Sequence, residues 1–325
     1  MVELTLLVPG LAETMKADPD GARFPALERL LTRSDRYAVS SADGDELLLE
    51  QFGMVPAADA DAPIAPLSLL GDGGEPGDGW WLRSDPVHLQ ADQDRLLLVG
   101  AEQLALTAIE AKAYCAALNA HFADRGLVFL CPHPQRWYLR LDTEPRVRTR
   151  PLGAVLGRNV HAHLPTGPEA PRWRALLNEV QMLLHGSEPN DARNARGAPP
   201  VNSVWFFGAG RLPHSCSSRF ASLCGDAALV RGLARCAGTE CCGVPIDGGT
   251  WLQQTTAGTH LISFPAITEA GAAELFAQRW AAPLWRALRR GRLQRLALWP
   301  GGGQWFRAAP SSIWRFWRRT PVWTS

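Results

Sequence analysis

The chain has 325 residues, of which 46% are hydrophobic and 20% charged; at about 150 residues per domain this allows two domains or one large one and excludes a disordered chain. Its 25 prolines and 30 glycines fit many loops and no collagen-like repeat. The net charge of +1 hides an asymmetry: residues 1–100 carry 18 acidic and 7 basic side chains, whereas residues 275–325 carry ten arginines and no acid.

In chain order, Leu4-Thr5-Leu6-Leu7-Val8 ending at Pro9-Gly10 predicts the buried first strand of a parallel sheet. The acid at Glu3 and the proline at Pro9 stand where a signal peptide needs a basic start and an apolar stretch. No apolar run approaches the ~18 residues of a transmembrane segment, so the sequence reads as cytoplasmic. Helices are predicted over 24–32, with Leu27, Leu30 and Leu31 on one face, and over 44–51. Between Pro56 and Asp78 the composition turns to Ala, Pro, Gly and Asp, which predicts a loop leaving the first domain. Strands are predicted over 80–87, 95–99, 126–130 and 137–141, with a helix over 101–124 among them. A helix over 171–185 and a polar loop over 186–200 follow.

The buried-strand pattern resumes at Val201–Phe207. A helix is then predicted over 227–237, a strand over 260–264, a long helix over 268–289 and a last strand over 296–299. This alternation implies an α/β fold in which residues 1 to about 60 and about 200 to 300 share one sheet. The corresponding domains are 1–75 with 190–325 as an α/β core, and 76–189 as an inserted α+β domain.

Seven cysteines are too few and too scattered for a small secreted disulfide framework, so reduced thiols are expected. Cys236, Cys241 and Cys242 cluster, with Cys216, Cys224 and His214 upstream, but without paired zinc-ligand spacing; the readings are zinc or burial as small apolar side chains. His161 and His163 are placed on one strand face, as a metal pair lacking further ligands or as a packed or solvated pair. Gly208-x-Gly210-x-x-Pro213 is an incomplete dinucleotide-binding turn, because proline replaces its third glycine.

Seven of the thirteen tryptophans lie in the basic end: Trp280, Trp285, Trp299, Trp305, Trp314, Trp317 and Trp323. Three readings fit it: packing on the acidic first half with Trp inside and Arg on carboxylates, nucleic-acid binding, or a membrane-surface helix through Trp314-Arg315-Phe316-Trp317-Arg318-Arg319.

The run Ser187-Glu188-Pro189-Asn190-x-x-Arg193-x-x-x-Gly197-x-Pro199-x-x-Asn202, followed by a strand and Gly208-Ala209-Gly210-Arg211-Leu212-Pro213, resembles the archaeal-type cofactor-independent phosphoglycerate mutases. Ser68-Leu69-Leu70-Gly71, Trp81-Leu82-Arg83-Ser84-Asp85, Gln135-Arg136-Trp137-Tyr138 and the helix from Leu229 to Gly238 extend the likeness. The chain resembles more closely the bacterial RpfE-type regulatory proteins. The resemblance implies a three-layer α/β/α alkaline-phosphatase-like core with an inserted α+β lid domain. It also implies a serine nucleophile and two Mn, Zn or Mg ions held by carboxylates and histidines.

The matching positions depart from that chemistry. Pro9-Gly10-Leu11-Ala12-Glu13 stands where the family has Asp-Gly-Leu-Gly-Asp, and Ala62-Pro63 where it has the nucleophile. Pro265-Ala266-Ile267-Thr268-Glu269-Ala270 replaces Asp-x-x-Gly-His, and Leu298-Trp299-Pro300-Gly301-Gly302 replaces Asp-His-Ser. A proline imide cannot ligate a metal and alanine offers no hydroxyl.

The expectation is therefore a catalytically degenerate binding or regulatory protein with no catalytic residue and no metal cofactor. Arg83, Arg136, Asn190, Arg193, Asn202 and Arg211 either form a small anion pocket between the lobes, for a phosphorylated or carboxylate ligand, or only pin the crossing loops. A protein partner is possible in the regulatory reading. The alternatives are an active mutase or phosphatase using rearranged ligands such as Asp59, Asp61, Asp226, Asp247 and His260, and a nucleic-acid binder acting through the Arg/Trp tail.

Overall fold

The computed structural model describes residues 1–17, 24–39, 41, 43–57, 60–92, 95–318. The chain opens with β1 (Val2–Leu7), α1 (Leu11–Ala17), α2 (Pro25–Arg33), β2 (Asp35–Ala38) and α3 (Gly44–Glu50). It continues through α4 (Ile64–Gly71), β3 (Trp80–Asp92), β4 (Arg95–Val99), α5 (Ala101–Leu104), α6 (Ala108–Phe122), β5 (Val128–His133) and β6 (Arg136–Leu141). Next come α7 (Ala170–His185), α8 (Glu188–Ala195) and β7 (Ser203–Gly210). The last stretch holds β8 (Ser222–Cys224), α9 (Ala228–Ala237), β9 (Glu240–Cys242), α10 (Gly248–Gln254), β10 (Gly258–Ser263), α11 (Ala270–Phe276), α12 (Ala282–Arg289), β11 (Arg295–Trp299) and β12 (Gln304–Ala308).

Two compact units result: residues 1–52 with 216–325, and residues 53–215. The expected divisions lay at 75/76 and 189/190. The difference follows from strand pairing: β7, expected in the core sheet, runs antiparallel to β3 and stays with the second unit.

The first unit holds a seven-stranded sheet in the order β2-β12-β11-β1-β10-β8-β9, with β1 parallel to both β10 and β11 and β12 antiparallel to β11 and β2. Alternation sorts its faces. Leu4, Leu6, Ile262, Leu296 and Leu298 join one apolar cluster with residues of α1, α2, α10, α11 and α12. Trp299 points the other way and meets Gly44 at the start of α3. Cys224 and Cys242 face each other on the paired strands β8 and β9 and are disulfide-bonded. Cys216 is bonded to Cys236 of α9. The expectation of reduced thiols is thus corrected for four cysteines; Cys115, Cys131 and Cys241 keep their thiols.

In the second unit β4, β3, β6 and β5 form one sheet, and β7 joins it beside β3. One face packs on α6 and α7 through Leu82, Leu118, Trp137, Trp173 and Phe206. The other carries α4, whose Ala65 and Leu69 meet Trp81 and Tyr138. The segments 56–78 and 186–200, expected as loops, hold α4 and α8. The helix expected over 101–124 is broken at Ala105, which is left-handed at φ 46°, and restarts where Thr107 and Glu110 form a capping box. His161 and His163 lie in a 3-10 turn, Val160–His163, instead of a strand.

No helix among the described residues is long and apolar enough to cross a membrane. In the basic end Trp280, Trp285, Trp299 and Trp305 are buried, and Arg315 and Arg318 reach Asp35 of the acidic half. Trp314, Phe316 and Trp317, at 72%, 68% and 65% exposure, are not inside, which corrects that part of the packing expectation. Trp323 and Arg319 fall outside the described residues.

Candidate functional site

The α4 face of the second sheet gathers two of the six predicted residues. On β3, Arg83 and Asp85 are two apart and so share a face. The guanidinium donates to both carboxylate oxygens of Asp85, at 2.9 and 2.5 Å. The Tyr138 and Phe207 rings lie 5.2 Å from its carbon. On β6, Arg136 donates to Asp72, just past α4, at 2.8 and 2.7 Å, and the Tyr138 hydroxyl donates to the same carboxylate at 2.6 Å.

Burial works against the Asp72 carboxyl, but the Arg136 and Tyr138 hydrogen bonds outweigh it and hold its pKa below the usual aspartate value. Burial raises Asp85 despite Arg83. Arg83, Arg136, Asp85, Glu102, Gln103 and Gln135 line a cavity of about 220 Å³. Arg136 keeps guanidinium N–H groups beyond the two on Asp72, and its side chain is a quarter exposed, so it can meet a small anion there.

Three of the other predicted residues serve the frame. Asn190 is buried in α8; its amide donates to the Leu184 and Val201 carbonyls, and it accepts from the Val201 amide and the Tyr114 hydroxyl. Arg193 is 1% exposed and donates to the Pro199 and Leu104 carbonyls and to Glu110. Asn202 exchanges two backbone bonds with Leu89. Arg211 stacks over Trp80 at 5.0 Å. The structure thus separates the six into a pair at a cavity within the second unit, three loop and strand pins, and Arg211, which is exposed and does not line that cavity. Asp72 and Tyr138 were missed, because an acid inside a Gly-rich stretch and a tyrosine inside a strand carry no motif.

The alternative ligand set is scattered. Asp61 accepts from the Thr149 amide at 3.0 Å, from the Thr149 hydroxyl, and from the Ala209 amide at 3.3 Å; burial raises its pKa against these bonds. Asp247 caps α10 by accepting from Gly249 and Thr250. His260 is buried, bonded to Ser222 at 2.8 Å and the Thr256 carbonyl at 3.1 Å. Asp226 is exposed, and Asp59 lies outside the described residues. No group of three or more His, Cys, Asp or Glu that could hold a metal occurs among the described residues.

The strand ends of the first unit do not fit a metal pair. Their backbone groups bond one another: Ile267 N–H donates to Pro9 O, Ala12 N–H to Pro300 O and Val8 N–H to Trp299 O. Gly10, at φ 77°, presses on the Ile267 carbonyl, and the Glu13 carboxylate folds against Gly301. Proline, glycine, isoleucine and tryptophan supply no anionic ligands, and the one carboxylate of Glu13 does not offset two cations.

No protein-family model matches the chain. A stretch of 101 residues is 31% identical to a probable 2,3-bisphosphoglycerate-independent phosphoglycerate mutase of Geobacter sulfurreducens, covering 30% of this chain and 25% of that protein. Another of 106 residues is 33% identical to 2,3-bisphosphoglycerate-independent phosphoglycerate mutase 2 of Methanothermobacter thermautotrophicus, covering 32% and 26%. The matched stretches thus span about a quarter of these relatives.

Among solved structures, the PH0037 protein from Pyrococcus horikoshii superposes with a TM-score of 0.51 at 12% identity, over 94% of this chain and 87% of that one. A cofactor-independent phosphoglycerate mutase from Thermoplasma acidophilum gives 0.46 at 14% identity, over 95% and 90%. The fold is a mixed α/β arrangement of parallel and antiparallel strands that the PH0037 protein shares. The local identities support a relationship to the cofactor-independent phosphoglycerate mutases.

Proposed function

We propose that the chain is a catalytically degenerate relative of the phosphoglycerate mutases that acts as a binding or regulatory protein, as its resemblance to the RpfE-type proteins suggests. The observation that carries this reading is the chemistry of the ends of β1, β10 and β11. Pro9, Gly10, Ile267, Pro300 and Gly301 close on one another through backbone hydrogen bonds and close packing, with the single carboxylate of Glu13 against Gly301 where two cations need several anionic ligands. Ala62 and Pro63 likewise offer no nucleophile. The Arg83 and Arg136 cavity is the ligand site in this reading, taking a small phosphorylated or carboxylate compound.

The test is an assay of 3-phosphoglycerate isomerisation by the full chain with Mn²⁺, Mg²⁺ or Zn²⁺, paired with calorimetric titration of 3-phosphoglycerate. No turnover, together with binding that Arg136→Gln abolishes, is expected. Metal-dependent turnover overturns the reading.

A further inference from the structure

A larger cleft, of about 460 Å³, lies in the first unit, away from the Arg83 and Arg136 cavity. The registers place it. Glu3 of β1 stands between Thr259 of β10 and Arg295 of β11. Two residues on, Thr5 pairs with Ala297, Ala297 with Arg307 of β12, and Arg307 with Asp35 of β2. Thr5 and Ala297 are small, so the middle of this sheet face has a low floor between taller arginines. Arg219 and Gln51 join the lining from outside the sheet.

The lining holds four arginines, Arg219, Arg295, Arg307 and Arg315, against two carboxylates, Glu3 and Asp35. Both carboxylates are engaged. Asp35 accepts from Arg315 at 2.5 Å and from Arg318 at 3.4 Å, and Glu3 lies 3.5 Å from Arg295. Among the described residues no carboxylate pairs with Arg219 or Arg307. Each is held by a neutral neighbour: Arg307 lies over the Tyr37 ring at 4.5 Å, and Arg219 donates to Gln51 at 2.7 Å and lies 5.1 Å from the Phe220 ring. A guanidinium stacked on a ring keeps its N–H edge for a planar anion.

We propose that this cleft is a binding site for a small polyvalent anion, phosphate- or carboxylate-bearing, taken by Arg219 and Arg307 over the Thr5 and Ala297 floor. Its volume falls within the range of small-molecule sites, roughly 300–1,000 Å³. The site is distinct from the Arg83 and Arg136 cavity and does not depend on it.

Isothermal titration of the full chain at low ionic strength tests the proposal, with inorganic pyrophosphate in one arm and citrate in the other. Binding is expected to weaken about tenfold for each arginine lost and so about a hundredfold in Arg219→Gln/Arg307→Gln, while Arg136→Gln leaves it intact. The tighter of the two probes identifies the anion class. Absence of heat with both probes overturns the proposal, as does binding unchanged in the double variant or lost only with Arg136→Gln. Both arginines are exposed, and circular dichroism checks that the double variant is folded.

Discussion

Gly210 and Pro63 touch so closely that a β-carbon on the glycine would lie 2.6 Å from the proline Cβ, and one on Gly208 would lie 2.7 Å from the Ile64 Cβ. The Gly-x-Gly that looks like a phosphate-binding turn is the groove that admits the start of α4. Gly208 also sits at φ 66°. Gly208→Ala is therefore expected to cost about 2 kcal/mol or more, from left-handed strain and overpacking together. Urea denaturation measures it; an unchanged midpoint contradicts the packing account.

Arg83 and Asp85 form a nearly dry ion pair, with side chains 9% and 3% exposed. Asp85→Ala strands the guanidinium and is expected to destabilise by about 3–5 kcal/mol, whereas an apolar replacement of both partners recovers most of that loss. A double-mutant cycle read by denaturant unfolding separates the two outcomes.

Acid sensitivity is expected at Glu110. Burial opposes its charged form, but the bonds from Thr107, Arg193 and Arg196 outweigh that and lower its pKa from 4.5 to about 2. A depressed carboxyl contributes stability that is fully present above the unfolded value. That contribution is lost as the pH falls from about 4.5 towards about 2. Glu110→Gln should flatten the stability-against-pH curve in this window relative to the native chain; parallel curves count against it.

Alkylation of the unfolded chain without reductant should label three cysteines, Cys115, Cys131 and Cys241, and after reduction should label all seven. The two bridges span sequence separations of 20 and 18 residues, so each is expected to contribute roughly 3 kcal/mol by loop closure. Mass spectrometry and unfolding with and without reductant check both numbers.

The elements read correctly from sequence are those with a strong period or a continuous apolar run, such as β1, α2, α7 and β11. The segment Ile64–Gly71 was hidden because nearly every residue in it is buried; a helix enclosed on all sides has no polar face to reveal its turn. β2 and β12 were missed for the converse reason, since Asp35–Ala38 and Gln304–Ala308 are short, mixed and at the antiparallel end of the sheet. β7 was recognised as a strand but given the wrong sheet, because an apolar run does not name its partner. Of the candidate site, arginines were legible as a type; which of them meets a cavity depends on Asp72 and Tyr138, brought to Arg136 only by folding. The cleft around Arg307 was invisible, since its residues come from seven separate segments.

The placement of β1 has a consequence for biosynthesis. Its neighbours on both sides, β10 and β11, begin at Gly258 and Arg295, so that strand is made long before either partner exists for it to pair with. The second unit, continuous from Gly53 to Ser215, is complete long before. Throughout that interval two unsatisfied strand edges of Leu-rich sequence wait in the open, the exposure that invites pairing elsewhere.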